Sequence, residues 1–368
     1  MRLSFPHMGT TYIPVKALFT HLGVDVIIPP VSSKRTLSLG ARHSPEFVCL
    51  PFKLMMGNFI EALEMGADTL LMVGGSGLCR LSYYAGLLEQ KLRDLGYHFE
   101  MITTALFEKR IFGVPDFLRL VVPDASLSHI WAAVRFALAK VNCLDDVESV
   151  LHKVRPREQG KGTADKIWQE AVEAIDQAND LATLDSVRQE YVAKLHGVPQ
   201  DLTVDPLRVG IIGEFYVVLE PFTNLDLEKE LGKLGVEVHR TIMLSEWTKF
   251  SIILSALGFS HHKRVHEAAW PYLKRDVGGD GWESVGETVL HARHGYDGMV
   301  HLAPFTCMPE VIAQNILTKV SRENGIPVLT ITCDEQMGRT GLITRLEAFV
   351  DLLQRRRANT LSQEVRGR

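Results

Sequence analysis

Apolar residues along this chain fall into short blocks with one of two periods. Brief apolar runs closed by Gly, Pro or Asp predict buried strands at "RLSFPH", "VDVIIPP", "EFVCLPF", "DTLLMVGG" and "HFEMITT". Between them, "YIPVKALFTHLG", "GNFIEALEMG" and "YYAGLLEQKLRDLG" carry the helical period and end at Gly23, Gly66 and Gly96. Strands alternating with helices predict a mostly parallel, doubly wound sheet. From about 125 to 200 the pattern is helical throughout. Alternation then resumes: "LRVGIIGEF", "VEVHRTI", "DGMVHLAP" and "IPVLTITCD" predict strands. "NLDLEKELGKLG", "GWESVGETVLHARHG", "PEVIAQNILTKVSRENG" and "GLITRLEAFVDLLQRRR" predict helices. The fold class expected is α/β, with two doubly wound, flavodoxin- or Rossmann-like domains joined by a helical segment. Its boundaries are 1–124, 125–205 and 206–357, with a frayed tail at 358–368.

The two α/β parts echo each other. "LGVDVIIP" at 22–29 returns as "LGVEVHRT" at 234–241, and "ALEMGADTLLMVGGSGLC" resembles "HARHGYDGMVHLAPFTC". In each, a helix ends at Gly, an Asp opens a strand and a cysteine follows. Any two βα units share some of this, so a duplicated domain and a chance likeness both stay open.

Composition narrows the class. The chain has 368 residues with 46% hydrophobic and 23% charged residues, enough for two cores. A net charge of −4 gives no basic stripe for nucleic acid. No apolar run is long enough for a membrane span, and "MRLSFPHMGTTYIP" has no apolar leader. A cytoplasmic protein is expected. Five cysteines without a secretion signal argue against a disulfide framework.

Cys49, Cys79, Cys307 and Cys333 all fall at carboxyl ends of predicted strands, where open α/β sheets bind ligands. Cys143 falls in the helical part and is expected to pack as a small hydrophobe. A single buried cysteine is usually inert packing. Three that stand beside turn formers, Pro51, Gly74–Gly75–Gly77 and Pro304 with Pro309, weaken that explanation. Structural zinc sites favour tight CxxC pairs, and there are none here. Soft thiolates on separate loops suit an iron–sulfur cluster. A thiol nucleophile needs a nearby base, and no local signature supplies one. "GGSGLC" has neither the P-loop nor the GxGxxG spacing. His7, Glu46, Lys53, Arg80 and Glu214 flank these loops as candidate neighbours of a cluster or substrate. Lys53 reads equally as a solvated rim charge, and Glu214 and Glu220 equally as turn caps. His301 reads as a core histidine, and "HHKRVH" at 261–266 as a polar helix or loop.

At these residues the chain is similar to a known family. "SFPHMGTTYIPVKALFTHLGVDVIIPP", "SPEFVCLPFKLMMGNFIEALEMGADTLLMVGG", "GEFYVVLEPFTNLDLEKELGKLGVEVHR", "HLAPFTCMPEVIAQNIL" and "TRLEAFVDLLQRRR" resemble the activase-related (CoA protein activase) branch of the 2-hydroxyglutaryl-CoA dehydratase D-component superfamily. The resemblance implies a 4Fe-4S cluster held in the interdomain cleft by three cysteines, at positions matching Cys49, Cys79 and Cys307. It implies electrons from an ATP-dependent activase of the actin-like ATPase fold; acyl-CoA is an expectation at the level of the wider family, since the substrate of this branch is not implied, and a paralogous subunit or second copy is a candidate partner. The implied chemistry is that of an (R)-2-hydroxyacyl-CoA dehydratase-like lyase or a low-potential reductase component. Relatives resemble "GGCGPCR" where this chain has "GGSGLCR". Ser76 therefore stands where a thiolate is expected, and Ser76 and Cys333 become candidate additional ligands. Two other functions stay open: a non-enzymatic electron-transfer or scaffold subunit, and a cluster-free small-molecule-binding α/β protein.

Overall fold

Strand β1 (Arg2–Ser4) starts a βα succession: helix α1 (Tyr12–His21), β2 (Asp25–Val26), α2 (Lys34–His43), α3 (Leu50–Glu64), β3 (Thr69–Met72), α4 (Leu81–Asp94), β4 (Glu100–Thr103) and α5 (Val114–Val121). The strands pair in parallel in the order β2-β1-β3-β4. The structure, a computed structural model, describes residues 1–74, 78–103, 114–242 and 262–366. Helices α6 (Leu127–Val154), α7 (Thr163–Gln177) and α8 (Leu181–His196) make the helical middle. The chain forms two compact units, and the residues of these helices are divided between them. The first unit holds Met1–Leu144 and Ile175–Asp185.

The second unit runs β5 (Leu207–Gly213), α9 (Phe215–Leu219), α10 (Pro221–Asn224), α11 (Leu227–Lys233), β6 (Val236–Arg240), α12 (His262–Ala269), α13 (Gly281–Arg293), β7 (Gly298–Pro304), α14 (Met308–Asn324), β8 (Val328–Cys333) and α15 (Arg339–Arg366). Its sheet is also fully parallel, in the order β6-β5-β7-β8. The two sheets therefore share one topology, the doubly wound α/β arrangement the alternation predicts. Each unit has its own core. Leu3, Phe19, Leu118 and Ile130 pack in the first; Ala269, Val285, Val289 and Val320 pack in the second. Among the described residues, no helix is long and apolar enough to cross a membrane.

The likeness between the units reaches individual bonds. Asp68, just before β3, accepts the Arg2 N–H at 2.7 Å and returns its own N–H to the Arg2 carbonyl at 3.1 Å. Asp297, just before β7, does the same with Arg208, at 2.7 and 2.9 Å. In both cases the next residues are in register, Leu3 with Thr69 and Val209 with Gly298. Gly66 and Gly295, each two residues before the Asp, have φ of +95° and +70°. The arginine side chain lies against that turn in both units.

The helices before the third strand also match. Helix α2 packs on α3 through glycines: a Cβ on Gly57 would lie 2.0 Å from the Thr36 carbonyl oxygen, and one on Gly40 1.6 Å from that of Lys53. In α13, a Cβ on Gly286 would lie 2.2 Å from the Val265 carbonyl oxygen of α12. Gly57→Ala must separate two backbones and is expected to cost about 2 kcal/mol. Chemical denaturation checks this; a loss below about 0.5 kcal/mol would show that the helices can part freely.

Three elements depart from the sequence pattern. "EFVCLPF" is not a strand: Cys49 is the N-cap of α3, and Pro51 lies in its first turn. Proline is pre-set for that position. Helix α3 is buried on every side from Leu50 to Ala62, so its run of apolar residues shows no helical period. Helix α2 has no counterpart among the predicted elements. Ser33 starts it with a capping box shared with Thr36. The last helix continues to Arg366, past the position where fraying was expected.

Candidate functional site

With strand order 2-1-3-4, the switch point of each sheet lies between its first and third strands, at their carboxyl ends. In the first unit those ends lead to His7 and to the loop that carries Cys79. In the second they lead to Glu214 and Cys307.

In the first unit, Cys49 starts α3 from a buried position and Cys79 precedes α4. The Tyr84 hydroxyl on α4 lies 2.8 Å from the Cys49 sulfur. The Tyr84 ring rests edge-on against Phe52, with centroids 4.8 Å apart. Arg80, which follows Cys79, donates to the Phe47 carbonyl at 2.8 Å and so ties the two cysteine-bearing loops together. Burial, with the negative charge of Cys49 beside it, raises the Tyr84 phenol well above its ordinary value, so the hydroxyl stays protonated. Lys53 is buried one turn along α3 and is not a rim charge. His7 is buried, its ring stacks on Tyr12, and its backbone N–H donates to the Asn58 side-chain oxygen at 3.2 Å. Glu46 is exposed.

In the second unit, Cys307 is the N-cap of α14 with Pro309 in the first turn, repeating the Cys-x-Pro start of α3. Cys333 ends β8 opposite Pro304, fully buried. Burial pushes its thiol up to about 12, with Glu214 and Asp334 adding negative charge. A thiol raised this far is poorly suited to act as a thiolate. Glu214 caps α9 by accepting the Val217 N–H at 3.1 Å, and Glu220 caps α10 through the Phe222 N–H at 3.2 Å. Both carry the capping role that the sequence left balanced against a binding role. Burial, partly offset by the Val217 and Tyr216 amides and reinforced by Glu310, pushes Glu214 up to about 7. Asp280 is the N-cap of α13, the position that Cys49 holds on α3. Burial raises its carboxyl well above the usual range, with Glu283, Glu214 and Glu310 adding to the effect and the Phe215 amide opposing it. His301 and Glu310 form a fully buried pair at 2.8 Å. Ser284 donates to the same carboxylate at 2.9 Å, and Thr330 lies 3.2 Å from the other His301 nitrogen. His301 is thus a satisfied core histidine. His266 lies on helix α12, 3.3 Å from Glu283.

A different group has the spacing for a cation. Glu148, His152 and Glu228 converge within 4.8 Å. The Arg240 guanidinium already lies among them, bonded to Glu148 and 3.1 Å from Glu228, and His152 lies 3.0 Å from Glu228. A fixed cation thus fills the place a metal would take.

Within each unit, taken by itself, the thiols are soft donors of the kind that favours iron or zinc. Cys49 and Cys307 cap helices and Cys79 sits one residue before another cap. A helix amino terminus favours negative charge, and so favours thiolate. Cys143 is buried in α6, as expected of packing. Ser76 lies outside the described residues. The sequence did not single out Tyr84 or Asp280; a Tyr-Tyr pair and an Asp before a glycine are too common to signal a site.

A family model described as a CoA enzyme activase uncharacterised domain matches residues 7–72. That span runs from His7 through Cys49 to the end of β3. No curated protein matches the chain. Residues 7–72 of this protein are thus similar to a CoA enzyme activase-related domain.

Proposed function

We propose that this chain is an iron–sulfur redox protein of the 2-hydroxyacyl-CoA dehydratase type. Cys49, Cys79 and Cys307 hold a 4Fe-4S cluster that takes electrons from an ATP-dependent activase of the actin-like ATPase fold, with acyl-CoA as the substrate class. One observation carries this reading: three thiols sit at or beside helix amino termini, two of them in the same Cys-x-Pro cap. The activase-related domain over 7–72 supports the setting. When bound, such a cluster supplies single-electron transfer. The chain's own part is to hold thiolates at positive helix ends, with Tyr84 and Arg80 fixing the two loops of the first unit.

Anaerobic purification with iron and acid-labile sulfide analysis tests this. About four irons per chain are expected. Cys49→Ala, Cys79→Ala and Cys307→Ala should each lose most of the iron, while Cys143→Ala keeps it. Zinc in place of iron, or no iron under strict anaerobiosis, would sink the proposal.

A further inference from the structure

Two adjacent tyrosines on α4 face opposite ways. Tyr83 is 72% exposed, whereas Tyr84 is 3% exposed with its ring against Phe52 and its hydroxyl 2.8 Å from the Cys49 sulfur. A tyrosine turned inward buries a hydroxyl, which costs free energy unless the hydroxyl finds a partner. Here the partner is a thiol at the amino end of α3. A thiolate or a cluster-bound sulfur is an acceptor only, so the phenol O–H is the donor. A hydrogen bond to a ligand sulfur draws off electron density and favours the more negative, reduced state of a cluster.

From this geometry we infer that Tyr84 is a positioning residue that raises the reduction potential of the metal centre through its hydrogen bond to Cys49. The inference rests on Cys49 being a cluster ligand. Tyr84 also joins the two cysteine-bearing helices, since Cys79 lies five residues before it on the segment that leads into α4. The bond therefore sets where the Cys49 sulfur points as well as how much charge it bears.

The test is a redox titration of the full chain, reconstituted anaerobically with iron and sulfide, as wild type, Tyr84→Phe and Tyr83→Phe. Tyr84→Phe keeps the ring against Phe52, so the fold is expected to survive. Its equilibrium constant for reduction should fall about tenfold, equivalent to about 59 mV for one electron. Tyr83→Phe should titrate as wild type does. A purely structural Tyr84 would lower the melting temperature and leave the potential where it was; that result overturns the inference while the cluster stands. Wild-type protein that takes up no iron overturns both the inference and the reading beneath it.

Discussion

Arg240→Met is expected to cost about 4 kcal/mol of stability at pH 7.5, and clearly less at pH 5. Arg240 is buried and bonded to Glu148 and Glu228, with His152 on the far side of Glu228. Burial alone would disfavour the Glu228 charge, but Arg240, His152 and Arg155 outweigh it and hold that carboxyl below its ordinary value. The guanidinium is likewise held above its ordinary value: burial opposes its charge, and Glu148 and Glu228 more than offset this. Removing one partner of a buried ionic group leaves the rest uncompensated, at about 3–5 kcal/mol. Methionine fills much of the volume, so the loss reports charge rather than packing. The sign with pH follows. Burial already opposes the Glu228 charge and Arg240 is the first of the groups that hold its carboxyl down, so without Arg240 that carboxyl takes up a proton more readily and acid relieves the variant. Urea denaturation at both pH values decides the matter. An equal loss at each would mean that packing, not pairing, holds this group.

The second large effect concerns His291. Its Nδ1 lies 2.8 Å from the Glu287 carbonyl, which only accepts, so Nδ1 carries the proton. Its Nε2 lies 3.0 Å from His239 Nδ1 and must therefore accept in the neutral ring. Protonating His291 would set two N–H groups against each other. Burial lowers the His291 value to about 4; the Glu287 carbonyl opposes this, and His239 and His294 add to it. The folded-state value lies below the unfolded one. The stability from neutral His291 is thus fully present above about pH 6.5 and is lost as pH falls toward 4. At about 1.4 kcal/mol per pH unit, wild type should lose about 2 kcal/mol between pH 6.5 and pH 5 beyond what His291→Gln loses. Parallel stability curves for the two proteins over that range would refute this.

Both groups were silent in the sequence, as were most of the bonds that hold the units together. Strand positions and parallel pairing were legible, because apolar runs closed by glycine or aspartate mark buried strands whatever they pack against. The Gly-x-Asp repeat was legible for the same reason, and the structure turns it into two matching Arg–Asp clasps. The α3 start was misread because a helix buried on all sides loses its period, and Cys49 moved with it from a strand end to a helix cap. Tyr84 could not be found at all. Only the turn of α4 distinguishes it from Tyr83, and that turn depends on Phe52, distant in sequence. Lys53 was open between rim and interior because a long cationic side chain is apolar for most of its length.

The clasps have one more consequence. Arg2–Asp68 and Arg208–Asp297 sit at the amino ends of their sheets, where the two units agree almost bond for bond. At the carboxyl ends they differ: His7, Cys49 and Cys79 in one, Glu214, Asp280, Cys307 and Cys333 in the other. Each unit is like a drawer with a common runner and its own contents. Substitutions at the runner fall on how much folded protein a cell keeps, and substitutions at the contents fall on what that protein does, so the fold can exchange its chemistry without renegotiating its assembly.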